Sequence, residues 1–189
     1  MAMQEARPAN SMHLFLVGLP GSGKSTLGRQ LAAYYKRRFV DLDEVIVKEA
    51  GRSIPDIFAA EGEAGFRARE AAALTGLIRH PEPLVVATGG GTPCFHNNMA
   101  LLRQTGFVLW LAVPVPELAR RLAGTGQAAA RPLLATAGTT ENPENALILH
   151  LGRTLAARER FYAQAHLRYT EAVTTVAVAA ALAAAGFRS

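Results

Sequence analysis

Residues 18–26 read Gly-Leu-Pro-Gly-Ser-Gly-Lys-Ser-Thr, directly behind the apolar run His13–Val17 and in front of a helix-forming stretch that starts at Lys24. Residues Gly18–Ser25 satisfy G-x-x-x-x-G-K-[ST] at every position, with a strand before and a helix after, the context the motif demands. The physical need is specific. A phosphate chain carries several negative charges, and successive backbone N–H groups must turn inward to cradle them. Glycines at 18, 21 and 23 permit those dihedrals and let the backbone approach phosphate closely. Lys24 adds a point charge across the β and γ phosphates, and Ser25 offers a hydroxyl to Mg2+. A nucleoside triphosphate site made by Gly21, Ser22, Gly23, Lys24, Ser25 and Thr26 is therefore expected.

The rest of the chain alternates in the βα manner. A helix over 24–35 is followed by a short strand in "RRFVDLD", a short helix in "EVIVKEA" stopped by Gly51, and a capped start in which Ser53 stands three residues before Asp56. A longer helix is predicted over 63–79, ending before Pro81. Next come a buried strand in "PLVVATGGG", a helix over 93–106 with Gly106 as its stop, a strand over 107–113 and a helix over 114–124. Residues 124–140 are small and polar without a period, as in a mobile loop. A helix over 144–165, a fifth strand over 172–178 and a terminal helix over 179–186 complete the pattern. Five short strands alternating with helices predict a parallel sheet covered on both faces, a three-layer α/β/α domain. Such folds bind ligands beyond the carboxyl ends of their strands. With neither repeat nor linker in view, the expected division is a disordered lead over 1–12 and one domain over 13–189.

Charge and composition exclude several classes. The net charge is +5, but only Lys24, Lys36 and Lys48 are lysines, the arginines are scattered, no run of five basic residues occurs and aromatics are 7%. That distribution argues against nucleic acid and for arginines that grip small anions. The longest apolar stretch, 173–185, is interrupted by Thr174 and Thr175 and falls short of the roughly 18–20 residues that cross a bilayer. Residues 1–12 contain Glu5 and no apolar core, unlike a signal or transit peptide, so the cytoplasm is expected. A single cysteine, Cys94, excludes an internal disulfide and fits a reducing compartment. Cys94, Trp110 and the histidines at 13, 80, 96, 150 and 166 have no motif-like spacing; they are expected in the core or on the surface, with no metal-ligand cluster.

No Asn-Lys-x-Asp is present, so the base reader of GTPases is missing, and "LVVATGGG" and "FVLWLAVPVPE" offer no adjacent acid at a strand end as in large ATPase machines. Acids do follow the second strand, at Asp41 and Asp43. Strand alternation would point both to one side, one toward magnesium and one toward the proton of an attacking hydroxyl; an acidic helix start explains them equally. Arg67 and Glu70 share a helix face, as a substrate grip or as a surface ion pair. Gly89, Gly90 and Gly91 form either a second N–H nest or a tight turn. Arg131, within the small-residue loop, is placed to swing over phosphates, and Arg158 lies on the long helix.

Taken in order, the phosphate loop, D-x-D, "GRSIPDIF", "GE-x-x-FR-x-x-E", "TGGG", "RPLL" and "R-x-x-x-Y" closely resemble shikimate kinase from about His13 to Tyr162. The resemblance implies a P-loop architecture like that of nucleoside-monophosphate kinases, with substrate-binding helices over about 43–80 and a lid over 124–140. It implies transfer of the ATP γ-phosphate to the 3-hydroxyl of shikimate, with Mg2+, on the way to chorismate and the aromatic amino acids. Asp43 would be the base, with Lys24 and Arg131 as further catalytic groups; Ser25 and Asp41 would stand at the metal. Arg67, Arg158 and Gly89–Gly91 would hold shikimate with Glu70 in support, and Arg121 would stack on adenine. A monomer is expected. The chemistry agrees, because two arginines on separate helices can fix a carboxylate and so aim the ring. Where the family usually has a proline before Leu-Tyr, this chain has Arg160-Phe161-Tyr162, and its lid carries "QAAA". A gluconate-type kinase, and a nucleotide-binding module without catalysis, are the competing readings.

Overall fold

The structure, a computed structural model, describes residues 12–124, 143–170 and 174–188. The chain runs β1 (His13–Val17), α1 (Lys24–Tyr34), β2 (Arg38–Asp41), α2 (Leu42–Ala50), α3 (Ile54–Ile78), β3 (Leu84–Ala87), a short 3-10 turn (Thr92–Cys94), α4 (Asn98–Thr105), β4 (Gly106–Leu111), α5 (Val115–Gly124), α6 (Pro143–Tyr162), β5 (Leu167–Tyr169) and α7 (Thr175–Ala184). The strands form one sheet in the order β2-β3-β1-β4-β5, and every neighbouring pair is parallel.

The central strand β1 is buried at all five positions, as a parallel strand covered on both faces must be. Its residues alternate between two cores. Phe15 and Val17 join Val86, Val108 and Trp110 against the side carrying α3 to α6. Leu14 and Leu16 join Val85, Leu109 and Leu111 against α1 and α7. Each large apolar side chain so enclosed contributes roughly 1.5–3 kcal/mol relative to exposure. His13 is a core histidine, as expected: its Nδ1 accepts from the Leu84 N–H at 3.0 Å. Among the described residues no helix is long and apolar enough to cross a membrane.

The sheet and its helices follow the sequence pattern with four corrections. The fifth strand is not at 172–178 but at Leu167–Tyr169, pairing Leu109 with Leu167 and Leu111 with Tyr169. Val176 and Val178 belong to α7, which Thr174 starts by accepting the Ala177 N–H at 3.3 Å on its hydroxyl. A run of β-branched residues had suggested a strand; Val178, Ala179 and Leu182 instead form a helical stripe on the second core. The helix predicted over 93–106 is a 3-10 turn followed by the shorter α4, because His96 and Asn97 take φ of 48° and 59° between them, and Gly106 opens β4. The helix predicted over 63–79 is the second half of α3, interrupted at Gly62 (φ 68°, ψ −175°). Finally, α6 ends at Tyr162 rather than Ala165. The caps at Ser53 and Gly51 stand where the sequence put them.

Candidate functional site

The candidate residues gather beyond the carboxyl ends of β1, β2 and β3. Gly18 leaves β1, and Gly23 caps α1 with φ 90° and ψ 15° and no side-chain hydrogen bond, so the first turn keeps its N–H groups for an anion. Ser22 is fully buried inside the loop. The Lys24 ammonium arches back, donating to the carbonyls of Gly18 at 3.0 Å and Leu19 at 2.9 Å. Arg121, on α5, has its Nη1 4.0 Å from the point where a Cβ on Gly23 would lie, and its Nε donates to Glu117 at 2.8 Å. Arg131 and the rest of the segment 125–142 lie outside the described residues, as does the lid reading of that segment.

The two aspartates are brought together by a helix cap, not by strand alternation. Asp41 ends β2 and N-caps α2: its Oδ1 accepts the Asp43 N–H at 3.1 Å, while its Oδ2 accepts the Ser25 hydroxyl at 2.6 Å. Asp43 therefore lies in the first turn of α2, where its carboxylate faces the glycine triplet. Its Oδ1 is 3.1 Å from the place of a Cβ on Gly89. Ser25 and Asp41 thus offer two hard oxygen donors side by side, the donor chemistry suited to Mg2+. Among the described residues no group of three or more His, Cys, Asp or Glu side chains could hold a metal.

Arg67 and Glu70 are no surface ion pair. Glu70 is 1% exposed and Arg67 9%. Arg67 Nη1 donates to Glu70 Oε2 at 2.9 Å, and the other Glu70 oxygen accepts the Thr92 hydroxyl at 2.5 Å. A buried carboxylate needs such partners. Glu63 takes the other edge of the guanidinium, from Nε at 3.3 Å and Nη2 at 3.2 Å. The ring of Phe95 lies 4.2 Å below the charged carbon. A Cβ on Gly91 would stand 2.6 Å from Arg67 Nη2, so only glycine permits this approach.

Arg158 arrives from α6. Its Nη1 is 3.1 Å from the Cβ position of Gly90, so two arginines on separate helices flank adjacent glycines. Cys94 sits among these groups; burial pushes its thiol up, while Arg158 and then Arg67 pull it down. Sequence reasoning gave no role to Thr92, Phe95, Glu63 or Tyr162. For Tyr162 a signal existed: it follows Arg158 by one helical turn.

Comparison with known proteins agrees with this geometry. The family model of shikimate kinase matches residues 20–184. A shikimate kinase of Synechococcus elongatus is 46% identical over 159 residues, covering 84% of this chain and 77% of that protein. One of Symbiobacterium thermophilum is 44% identical over 158 residues, covering 83% and 85%. Among solved structures, a shikimate kinase from Acinetobacter baumannii in complex with shikimate is 36% identical, with a TM-score of 0.75 over 90% of this chain and 89% of that one. A gluconokinase from Sinorhizobium meliloti shares the fold alone, at 14% identity and a TM-score of 0.55 over 94% of this chain and 93% of that one. With two arginines and a glycine triplet brought beside the phosphate loop, and with a family model over most of the chain and relatives at this level of identity, the chain belongs to the shikimate kinase family.

Proposed function

We propose that this chain transfers the γ-phosphoryl group of ATP to the 3-hydroxyl of shikimate, giving shikimate 3-phosphate and ADP, with the residue roles that follow. The observation that carries this reading is the convergence of Arg67 from α3 and Arg158 from α6 on neighbouring glycines beside Asp43. Two guanidinium groups set apart in this way suit one carboxylate on a ring, and fixing that carboxylate aims the hydroxyls at the other end. Gly89–Gly91 supply backbone N–H groups, and Glu70 holds Arg67 in place.

ATP lies on Gly21–Thr26, with Arg121 beside the nucleotide and Arg131 folding over the phosphates as the lid residue of 124–140. Lys24 leaves the loop carbonyls for the phosphate oxygens. The 3-hydroxyl oxygen attacks the γ-phosphorus, its proton passes to the Asp43 carboxylate, and the bond to the bridging oxygen of ADP breaks. Alignment and charge neutralisation carry most of the catalysis in such a step. Ser25 and Asp41 would hold Mg2+; when bound, the ion neutralises charge on the β and γ phosphates. The enzyme acts in the cytoplasm as a monomer, through one kinase domain over 13–189; light scattering on the purified chain tests the monomer.

A coupled ADP-release assay with shikimate, with gluconate and with no acceptor tests the function. ADP release that depends on shikimate is expected. Turnover on gluconate alone would overturn the acceptor assignment, and no turnover on either would favour a nucleotide-binding module.

A further inference from the structure

Each carbonyl of the glycine triplet already has a partner. Gly89 accepts from the Thr92 N–H at 3.2 Å and Gly91 from the Cys94 N–H at 2.9 Å, both within the local turn. The Gly90 carbonyl is held from elsewhere: it accepts the hydroxyl of Tyr162, 72 positions along the chain. Among the described residues, the N–H groups of Gly89, Gly90 and Gly91 make no hydrogen bond. The triplet thus has its acceptors occupied and its donors available.

Tyr162 is built for this bond. Its side chain is fully buried in the last turn of α6, with its ring 5.7 Å from that of Trp110 on β4. Burial pushes the phenol up to about 12, against the pull of Arg158, so it remains a donor throughout the neutral range. Arg158 lies one turn earlier on the same helix face and reaches the same glycine. In a planar trans peptide the carbonyl oxygen and the next N–H point in opposite directions. Anchoring the Gly90 oxygen therefore sets the direction in which the Gly91 N–H is presented.

We infer that Tyr162 is a positioning residue for acceptor binding: through the Gly90 carbonyl it sets the N–H groups of the triplet and holds α6, with Arg158, against them. The inference rests on the proposed acceptor site. Tyr162→Phe keeps the ring and removes only the hydroxyl. Shikimate binding to the full chain can be followed by the fluorescence of Trp110, the one tryptophan, alongside both Michaelis constants and the melting temperature. The variant is expected to weaken shikimate binding and raise its KM on the order of tenfold, since a buried carbonyl loses its donor, with KM for ATP unchanged and melting within a few degrees. Combined with Arg158→Ala, the effects on shikimate should be less than additive, because the two groups act on one glycine. Unchanged shikimate constants in Tyr162→Phe would overturn the inference while leaving the acceptor site standing. An equal rise in both Michaelis constants with a large loss of melting temperature would reduce Tyr162 to fold support and overturn it too. If the wild-type chain neither binds nor turns over shikimate, the acceptor site itself is wrong and the inference falls with it.

Discussion

The phosphate loop and the proposed acceptor site are built on different plans. The phosphate end is local: nine consecutive residues, mostly backbone, with Lys24 bonded to carbonyls of its own loop. The proposed acceptor end is assembled from distant pieces, with Asp43 from α2, Arg67 and Glu70 from α3, the glycine triplet after β3 and Arg158 from α6. Its arginine arrives already paired: Arg67 donates to both Glu70 and Glu63. A loop that reads charge with its backbone needs little from the rest of the fold. A pocket that reads a ring with side chains needs every surrounding element in register.

The largest expected effect breaks the phosphate end. Lys24→Ala should lower kcat by about 10²–10³, the usual loss for one preorganised charge-stabilising donor, with shikimate binding intact. Steady-state rates at saturating ATP check it; retention of more than about a tenth of the activity would remove Lys24 from the mechanism.

The next breaks the acceptor end alone. Arg67→Ala or Arg158→Ala should raise KM for shikimate about 10–150-fold, the worth of a charge-assisted hydrogen bond, and leave KM for ATP near wild type. Arg67→Lys should recover only part, since an ammonium cannot form two parallel bonds. A uniform rise in both constants would contradict the division of the cleft into two ends.

A subtler change sharpens the contrast. Gly91→Ala places a methyl 2.6 Å from Arg67 Nη2, at a residue whose φ of −92° strains no side chain. Moving the guanidinium aside strains its bonds to Glu70 and Glu63, so melting should fall. With the guanidinium misplaced, KM for shikimate should rise roughly tenfold as well. An unchanged KM would show that the glycine is not needed for the grip.

The smallest effect concerns acid. Hydrogen bonds from Arg120 and then Arg121 hold the Glu117 carboxyl down at about 2, against an ordinary 4.5. A depressed carboxylate contributes stability that is present above its unfolded value and lost as pH falls through the folded one. Melting temperature should therefore decline between pH about 4.5 and 2, and less so in Glu117→Gln; because the pair is exposed, the difference should be small and should shrink with salt. Identical acid profiles for both proteins would show that Glu117 and its two arginines contribute nothing.

These two plans also explain what could be read from the sequence. The phosphate loop, four of the strands and the Ser53 cap are short-range patterns, visible within a window of a few residues. The edge strand β5 escaped because it is three residues long, with Arg168 exposed in its middle, whereas Thr174 to Val178 carried the β-branched residues. Strand alternation was the wrong ground for grouping Asp41 with Asp43, since the Asp41 cap and not the pleat sets Asp43 in the first turn of α2. Thr92 was beyond reach, because its bonding partner lies 22 positions away, and the one-turn spacing of Tyr162 from Arg158 gave no hint of a partner 72 positions away. The arginines of the acceptor end were legible only through a family pattern; on spacing alone Arg67 and Glu70 suited any helix surface.

The lysine arched over its own loop bears on how the enzyme cycles. The phosphate loop presents the positive ends of its peptide dipoles, and an unanchored ammonium beside them would add repulsion. Lodged on the Gly18 and Leu19 carbonyls, Lys24 rests instead where the negative ends collect. In the proposed mechanism, nucleotide would exchange one set of oxygens for another around the same nitrogen, and departure of ADP would reverse the exchange.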